Sequence, residues 1–159
     1  MGPANLRPVD HDVSINECAT VHGASMWQQQ GYISVFDTPA IEDSFTFATP
    51  AAATRAYHAL AAGMAHCQDV SRTLQTTNQQ PADALVQRTA TSSNGVAFRR
   101  RWTAVAGMTA PGPQTNHVYL VHNGTTLTAL QFTGTATVPG SPQRYDTADD
   151  SATLIDLSH

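Results

Sequence analysis

His117 and Tyr119 stand two residues apart in a run that alternates like a strand, so their side chains share a face. An imidazole that titrates near neutrality beside a phenol can move a proton, which makes the pair candidates for acid–base work; cross-strand packing would use the same residues. Arg100 falls between Phe98 and Trp102 in another alternating run, and Asp43 sits likewise between Ile41 and Phe45. An isolated charge on an apolar strand face is costly, so each needs a counterpart. Either the two pair with each other, or both face a ligand. In the second case Arg100 or Tyr119 donates to a developing oxyanion and His117 or Asp43 accepts a proton. Arg88, Arg99 and Arg101 gather on the other side of the same hairpin, as a fork for carboxylate or phosphate or as a solvated sheet face. Trp102, Phe132 and Tyr32 supply aromatic surface for a binding cleft, with His22 and Trp27 as further rim residues.

Metal chemistry has little to stand on. His117 and His122 are an odd number of residues apart and point to opposite faces, while His58 and His66 lack a carboxylate at helical spacing. Neither a metal nor a cofactor is expected. Cys18 and Cys67 form no Cys-x-x-Cys knuckle, and a structural disulfide is the better reading, with two inert buried thiols or a catalytic thiol as alternatives. Cys67 as nucleophile needs an activating base and an open position, yet its helical phase predicts burial. A bonded pair would place the domain outside the cytosol after removal of a signal; a native start at Met1 would place it in the cytoplasm.

The elements that position these groups centre on residues 41–67. Residues 41–48 alternate as a half-buried strand; Thr49 then offers a hydroxyl N-cap and Pro50 the first helical position. Ala53, Ala56, Tyr57, Leu60, Ala61 and Met64 recur at helical spacing and lead to Cys67, and Gly63 implies a close approach to the sheet. Upstream, Ser14-Ile15-Asn16-Glu17 reads as a capping box opening a short helix over residues 14–27, followed by a polar turn at Gln28-Gln29-Gln30-Gly31 and a strand over 32–36. Residues 71–81, rich in Thr and Gln, read as a connection. Two hairpins then turn at Asn94-Gly95 and Asn123-Gly124, pairing 84–93 with 96–106 and 117–122 with 125–133. In the first, Phe98, Arg100, Trp102 and Ala104 share a face with Leu85, Gln87 and Thr89. In the second, Val118, Leu120, Leu127 and Ala129 form the face for the helix. The loops 107–115 and 139–142 are polar connections, and the acidic tail offers Leu154, Ile155 and Leu157 for a last strand or short helix.

A chain of 159 residues supports one domain, here an arm over 1–13 and an α+β unit over 14–159. The expected architecture is an antiparallel sheet with one main helix packed on one face and a concave polar and aromatic cleft on the other. A net charge of −4 gives no attraction to nucleic acid, no apolar run reaches membrane-spanning length, and the first residues lack a signal-peptide core. Nothing in the pattern sets an oligomeric state.

The strand Phe45-Thr46-Phe47, the helix Pro50-Ala51-Ala52-Ala53-Thr54-Arg55-Ala56-Tyr57 ending in His66-Cys67, and Val118-Tyr119-Leu120-Val121-His122-Asn123-Gly124 before Leu127-Thr128-Ala129-Leu130 resemble the PknH-like extracellular sensor domains of actinobacteria. The resemblance covers residues 14–133 and implies a mixed helix and antiparallel-sheet fold whose polar cleft binds a small molecule. The kinase sensor carries two disulfides where this chain has cysteines for one, and neither a kinase domain nor a transmembrane segment is present in this sequence. The expected function is therefore small-molecule binding of the sensor type. The alternative is a cytoplasmic natural-product enzyme on the same fold, a cyclase or isomerase folding a polyketide-like substrate by orientation and electrostatics.

Overall fold

A computed structural model of the chain describes residues 5–33, 39–103, 112–135 and 147–159. In chain order the described elements are β1 (Asn5–Pro8), β2 (Val13–Asn16), β3 (Ala19–Val21), β4 (Met26–Ile33), β5 (Pro39–Thr46), α1 (Pro50–Ala65) and α2 (Cys67–Thr77). There follow β6 (Leu85–Thr91), β7 (Gly95–Thr103), β8 (Pro113–Asn123), β9 (Thr126–Thr135), a 3-10 turn at Thr147–Asp149, and α3 (Asp150–Leu157). Seven strands form one antiparallel sheet in the order β1-β4-β5-β9-β8-β7-β6, and β2-β3 is a separate hairpin. The expected strand end at 34–36, Ala104, most of the 107–115 loop and the 139–142 connection lie outside the described residues.

Thr49 caps α1 as its hydroxyl and extended backbone dictate, accepting from the Ala52 amide, with Pro50 next. Ala53, Tyr57, Leu60 and Met64 then repeat at helical spacing and are buried against Phe45, Phe47, Val96, Phe98, Val118, Leu120, Leu127 and Ala129. Removing a side chain such as Leu60 from water stabilises by roughly 1.5–3 kcal/mol, so this stripe fixes α1 on the sheet. The reverse face is not bare. There α3 buries Leu154 among Ala90, Ala97, Tyr119, Val121 and Leu130.

Residues 14–27 do not make a helix. Val13 pairs with Val21 and Ser14 with Thr20, and the Asn16 side-chain oxygen accepts from the Cys18 amide at 2.9 Å, so the apparent capping box is an Asn-initiated turn between two short strands. The glutamine run is part of β4, its side chains alternating across the sheet. Residues 71–77, read as a connection, belong to α2. Its inward stripe is Cys67, Ser71 and Gln75, polar and therefore silent in a hydrophobic pattern. Gln75 both donates to Asp83 and accepts from the Ala84 amide, while Thr73, Thr76 and Thr77 satisfy their hydroxyls on carbonyls four residues back.

Both hairpins turn one residue away from the expected place. The second pairs Asn123 with Thr126, leaving Gly124 in the turn at φ +56°, and Val118, Leu120, Leu127 and Ala129 still share the α1 face. The first pairs Thr91 with Val96, but a bulge between Arg88 and Ala90 slips the register by one and turns residues 85–88 over. Val86 and Arg88, not Leu85 and Gln87, therefore lie beside Arg100 and Phe98.

Cys18 and Cys67 are bonded, fastening the β2–β3 tip to the start of α2. Gly63 allows a close approach, to this tip and not to the main sheet: a Cβ there would lie 2.3 Å from the Cys18 carbonyl oxygen. Gly63→Ala is thus expected to cost about 1–3 kcal/mol by overpacking, against the gain of about 1 kcal/mol that helix propensity alone gives alanine. The urea midpoint tells them apart, since a rise would mean that the tip yields freely.

Candidate functional site

The sheet divides the candidate residues. Arg100, Trp102, Asp43 and Arg88 face α1; His117, Tyr119, Phe132, Tyr32, Arg99 and Arg101 lie on the α3 side. Asp43 and Arg100 are not partners. Their strands β5 and β7 are separated by β9 and β8, and three strand spacings amount to about 14 Å. The three-arginine cluster is also broken: the bulge sends Arg88 to the α1 side, where its guanidinium lies 5.8 Å from the Phe98 ring centre, while Arg99 reaches Gln87 at 2.5 Å on the reverse.

On the α1 side, beyond the helix's apolar footprint, polar side chains from adjacent strands meet the β2–β3 tip. The Arg100 side chain is 5% exposed and forms an ion pair through Nη2 with Glu17, whose side chain is 36% exposed. Nη1 donates to Asn116 Oδ1 at 3.3 Å, and the guanidinium lies 4.9 Å from the Trp102 ring centre. Asn116 is oriented by donating to the Phe132 carbonyl at 3.2 Å and the Thr133 hydroxyl at 3.1 Å. Arg100 Nε is buried and has no hydrogen-bond partner among the described residues. Burial lowers the guanidinium pKa and Glu17 opposes that shift; an arginine stays protonated regardless. Glu17 Oε1 also accepts from Ser71 at 3.2 Å, and Gln131 ties down the tip by donating to the Ile15 carbonyl at 3.0 Å. Glu17 and both cysteine sulfurs lie within 4.8 Å of one another, but sulfurs bonded to each other present no thiolate to a cation.

Asp43 occupies the same face, three strands away from Arg100. It is 3% exposed and one oxygen accepts from Trp27 Nε1 at 2.8 Å and Gln29 Nε2 at 2.9 Å. Burial raises its pKa, outweighing both hydrogen bonds. Trp27 is itself held, stacked 6.2 Å from Phe45 with the Arg7 guanidinium 4.1 Å from its ring centre.

His117 and Tyr119 share a face as expected, but under α3. Tyr119 donates to Asp150 Oδ1 at 2.6 Å, Thr89 donates to Oδ2 of the same carboxylate, and Asp150 is 1% exposed. The phenol is thereby committed to anchoring α3. Burial pushes the His117 imidazole down to about 4; Asp150 opposes this and Arg99 adds to it. Phe132 meets Tyr119 edge-on at 6.2 Å, and Tyr32 donates to Glu42 at 3.4 Å. His22 lies elsewhere, on an open groove of about 350 Å³ beside α1 with Phe47, Ala52, Arg55 and Ala56.

Glu17, Ser71, Asn116 and Asp150 were not among the sequence candidates. Glu17 precedes Cys18, so the expected disulfide alone hinted that it sits against α2; Asn116 and Ser71 carried no signal. Among known proteins, no family profile and no curated sequence matches this chain. Among the described residues, no helix is long and apolar enough to cross a membrane.

Proposed function

We propose that this is a small-molecule-binding domain of the sensor type, with its cleft at the polar end of the α1-side face around Arg100, Asn116 and Trp102. The observation that carries this is Arg100, a buried guanidinium with one donor unused and an aromatic face beside it. A cation kept at such a desolvation cost, oriented by Asn116, suits an anionic or strongly polar ligand. The reading moves the expected cleft from one side of the sheet to the other, because α3 packs on β6, β7 and β8 on the reverse. The resemblance to PknH-like sensors supports it, and the disulfide is compatible with an extracytoplasmic setting.

A metabolite screen read by thermal shift supplies a ligand, and Trp102→Ala then tests the place. Trp102 is only half-buried, so the variant should fold. Loss of a ring contact worth about 1.4 kcal/mol weakens binding roughly tenfold. Unchanged affinity in a folded Trp102→Ala protein would remove the site from this face. The enzyme reading, a cyclase or isomerase, draws on Asp43, whose raised pKa suits a proton-transfer group. It requires that Asp43→Asn abolish turnover while leaving binding intact.

A further inference from the structure

We infer that the ligand of this face is a carboxylate that takes the place of Glu17 on Arg100, so that Glu17 is the site's resident occupant; the inference rests on the reading of this face as a ligand site. Two donors converge on one oxygen: Arg100 Nη2 and Ser71 Oγ both donate to Glu17 Oε1. Ser71 and Arg100 are buried, and Nε, which lies on the same edge of the guanidinium as Nη2, has no partner among the described residues. That edge is the fork to which a carboxylate binds through two parallel hydrogen bonds, and Glu17 fills one prong.

The pair is also asymmetric. Arg100 is held by Asn116 and by the Trp102 ring, whereas Glu17 projects from the two-residue turn between β2 and β3 and keeps about a third of its side chain in water. Exchange of one carboxylate for another leaves the buried cation compensated throughout, which removal of Glu17 alone does not. Only the exposed partner has to move. Trp102, half-buried next to the guanidinium, offers its ring to a planar body attached to the incoming carboxylate, so an aromatic acid fits both parts.

The test uses the full chain with its disulfide intact, benzoate as the probe, benzamide as its neutral counterpart, and inorganic phosphate as the competing anion. Calorimetry gives affinity, and the Trp102 indole resonance reports location. Benzoate is expected to bind Glu17→Gln at least ~10-fold more tightly than wild type, because no internal carboxylate competes. It should shift the Trp102 resonance, and benzamide should bind neither protein. Equal benzoate affinity in the two proteins overturns the inference, as does benzamide matching benzoate or phosphate exceeding it.

Glu17→Gln leaves Arg100 uncompensated and is expected to be less stable, so its melting temperature is measured as well. Benzoate should raise it more than it raises that of wild type, and equal increments count against the inference. Glu17→Asp, which keeps the charge but shortens its reach, should fall between the two proteins in benzoate affinity, and wild-type affinity there overturns the inference without recourse to the glutamine variant. A neutral compound that shifts Trp102 while benzoate does not bind leaves the ligand-site reading standing and ends the carboxylate inference. Benzoate binding that leaves Trp102 unperturbed ends the carboxylate inference alone, because a probe seated elsewhere does not test this face.

Discussion

Reduction of the Cys18–Cys67 bond is expected to lower the unfolding free energy by roughly 4 kcal/mol, the chain-entropy value for a closed loop of this length. The sequence separation of 49 is long enough for the bond to exclude many unfolded conformations. The native state should change little, because the tip it fastens is held independently by the Glu17–Arg100 ion pair, the Gln131 bond to Ile15 and the packing of Cys18 against Gly63. Against a typical total of about 5–15 kcal/mol the loss is large. Urea unfolding with and without dithiothreitol measures it. A difference below about 1 kcal/mol would mean that the unfolded chain keeps the two segments together without the bond.

Acid should destabilise the protein through His117 by up to roughly 3 kcal/mol. The folded pKa, about 4, lies below the ordinary value of 6.5, so between these limits the unfolded chain takes up a proton that the folded chain resists. The stability that the neutral imidazole contributes is complete above pH 6.5 and falls away as pH drops toward 4. The groups acting on it are Asp150 from α3, which favours its charged form, and Arg99 from β7, which opposes it. His122, lowered by partial burial and by His58, adds in the same direction. Asp43 acts oppositely: its pKa is raised, so its contribution is complete below the unfolded carboxylate value of 3.8 and is lost as pH rises through the folded value. Denaturation at pH 7, 5.5 and 4.5, paired with an NMR titration of the His117 ring, checks this, and Asp43→Asn should make the acid loss steeper. A His117 ring that titrates near 6.5 in the folded protein contradicts the argument.

The parts of the fold legible in the sequence are those where one side chain or one period decides the matter. Thr49-Pro50 permits little but a helix start, and alternation placed Phe45 and Phe47 on one face whatever their neighbours did. What failed turned on polar satisfaction. α2 is hidden because its inward residues, Ser71 and Gln75, are buried by hydrogen bonding, and Asn16 imitates a helix cap while closing a hairpin turn. The Arg88 side was lost to a single extra residue near Thr89, which no local pattern announces. For the candidate site, alternation marked Arg100 and Asp43 as charges in need of partners, but strand order keeps the two apart, and Glu17 reaches Arg100 from the β2–β3 turn outside the sheet. That order depends on pairing between distant strands, which spacing along the chain does not carry.

The pairing of β5 with β9 also sets a timetable for synthesis. Ser44 and Thr128, 84 positions apart, are bonded at the middle of the sheet, so β5 has its second neighbour only after β9 has emerged from the ribosome. Both cysteines precede that moment. The nascent chain can therefore carry β1 to β5 and the first two helices already linked by the disulfide, with one open border of strand waiting for its mate. Such a border invites wrong pairing with other chains, and closing it late, across a long stretch of sequence, is slow. The covalent link is then of greatest service before the fold exists, keeping the first half of the molecule in order until the second half arrives.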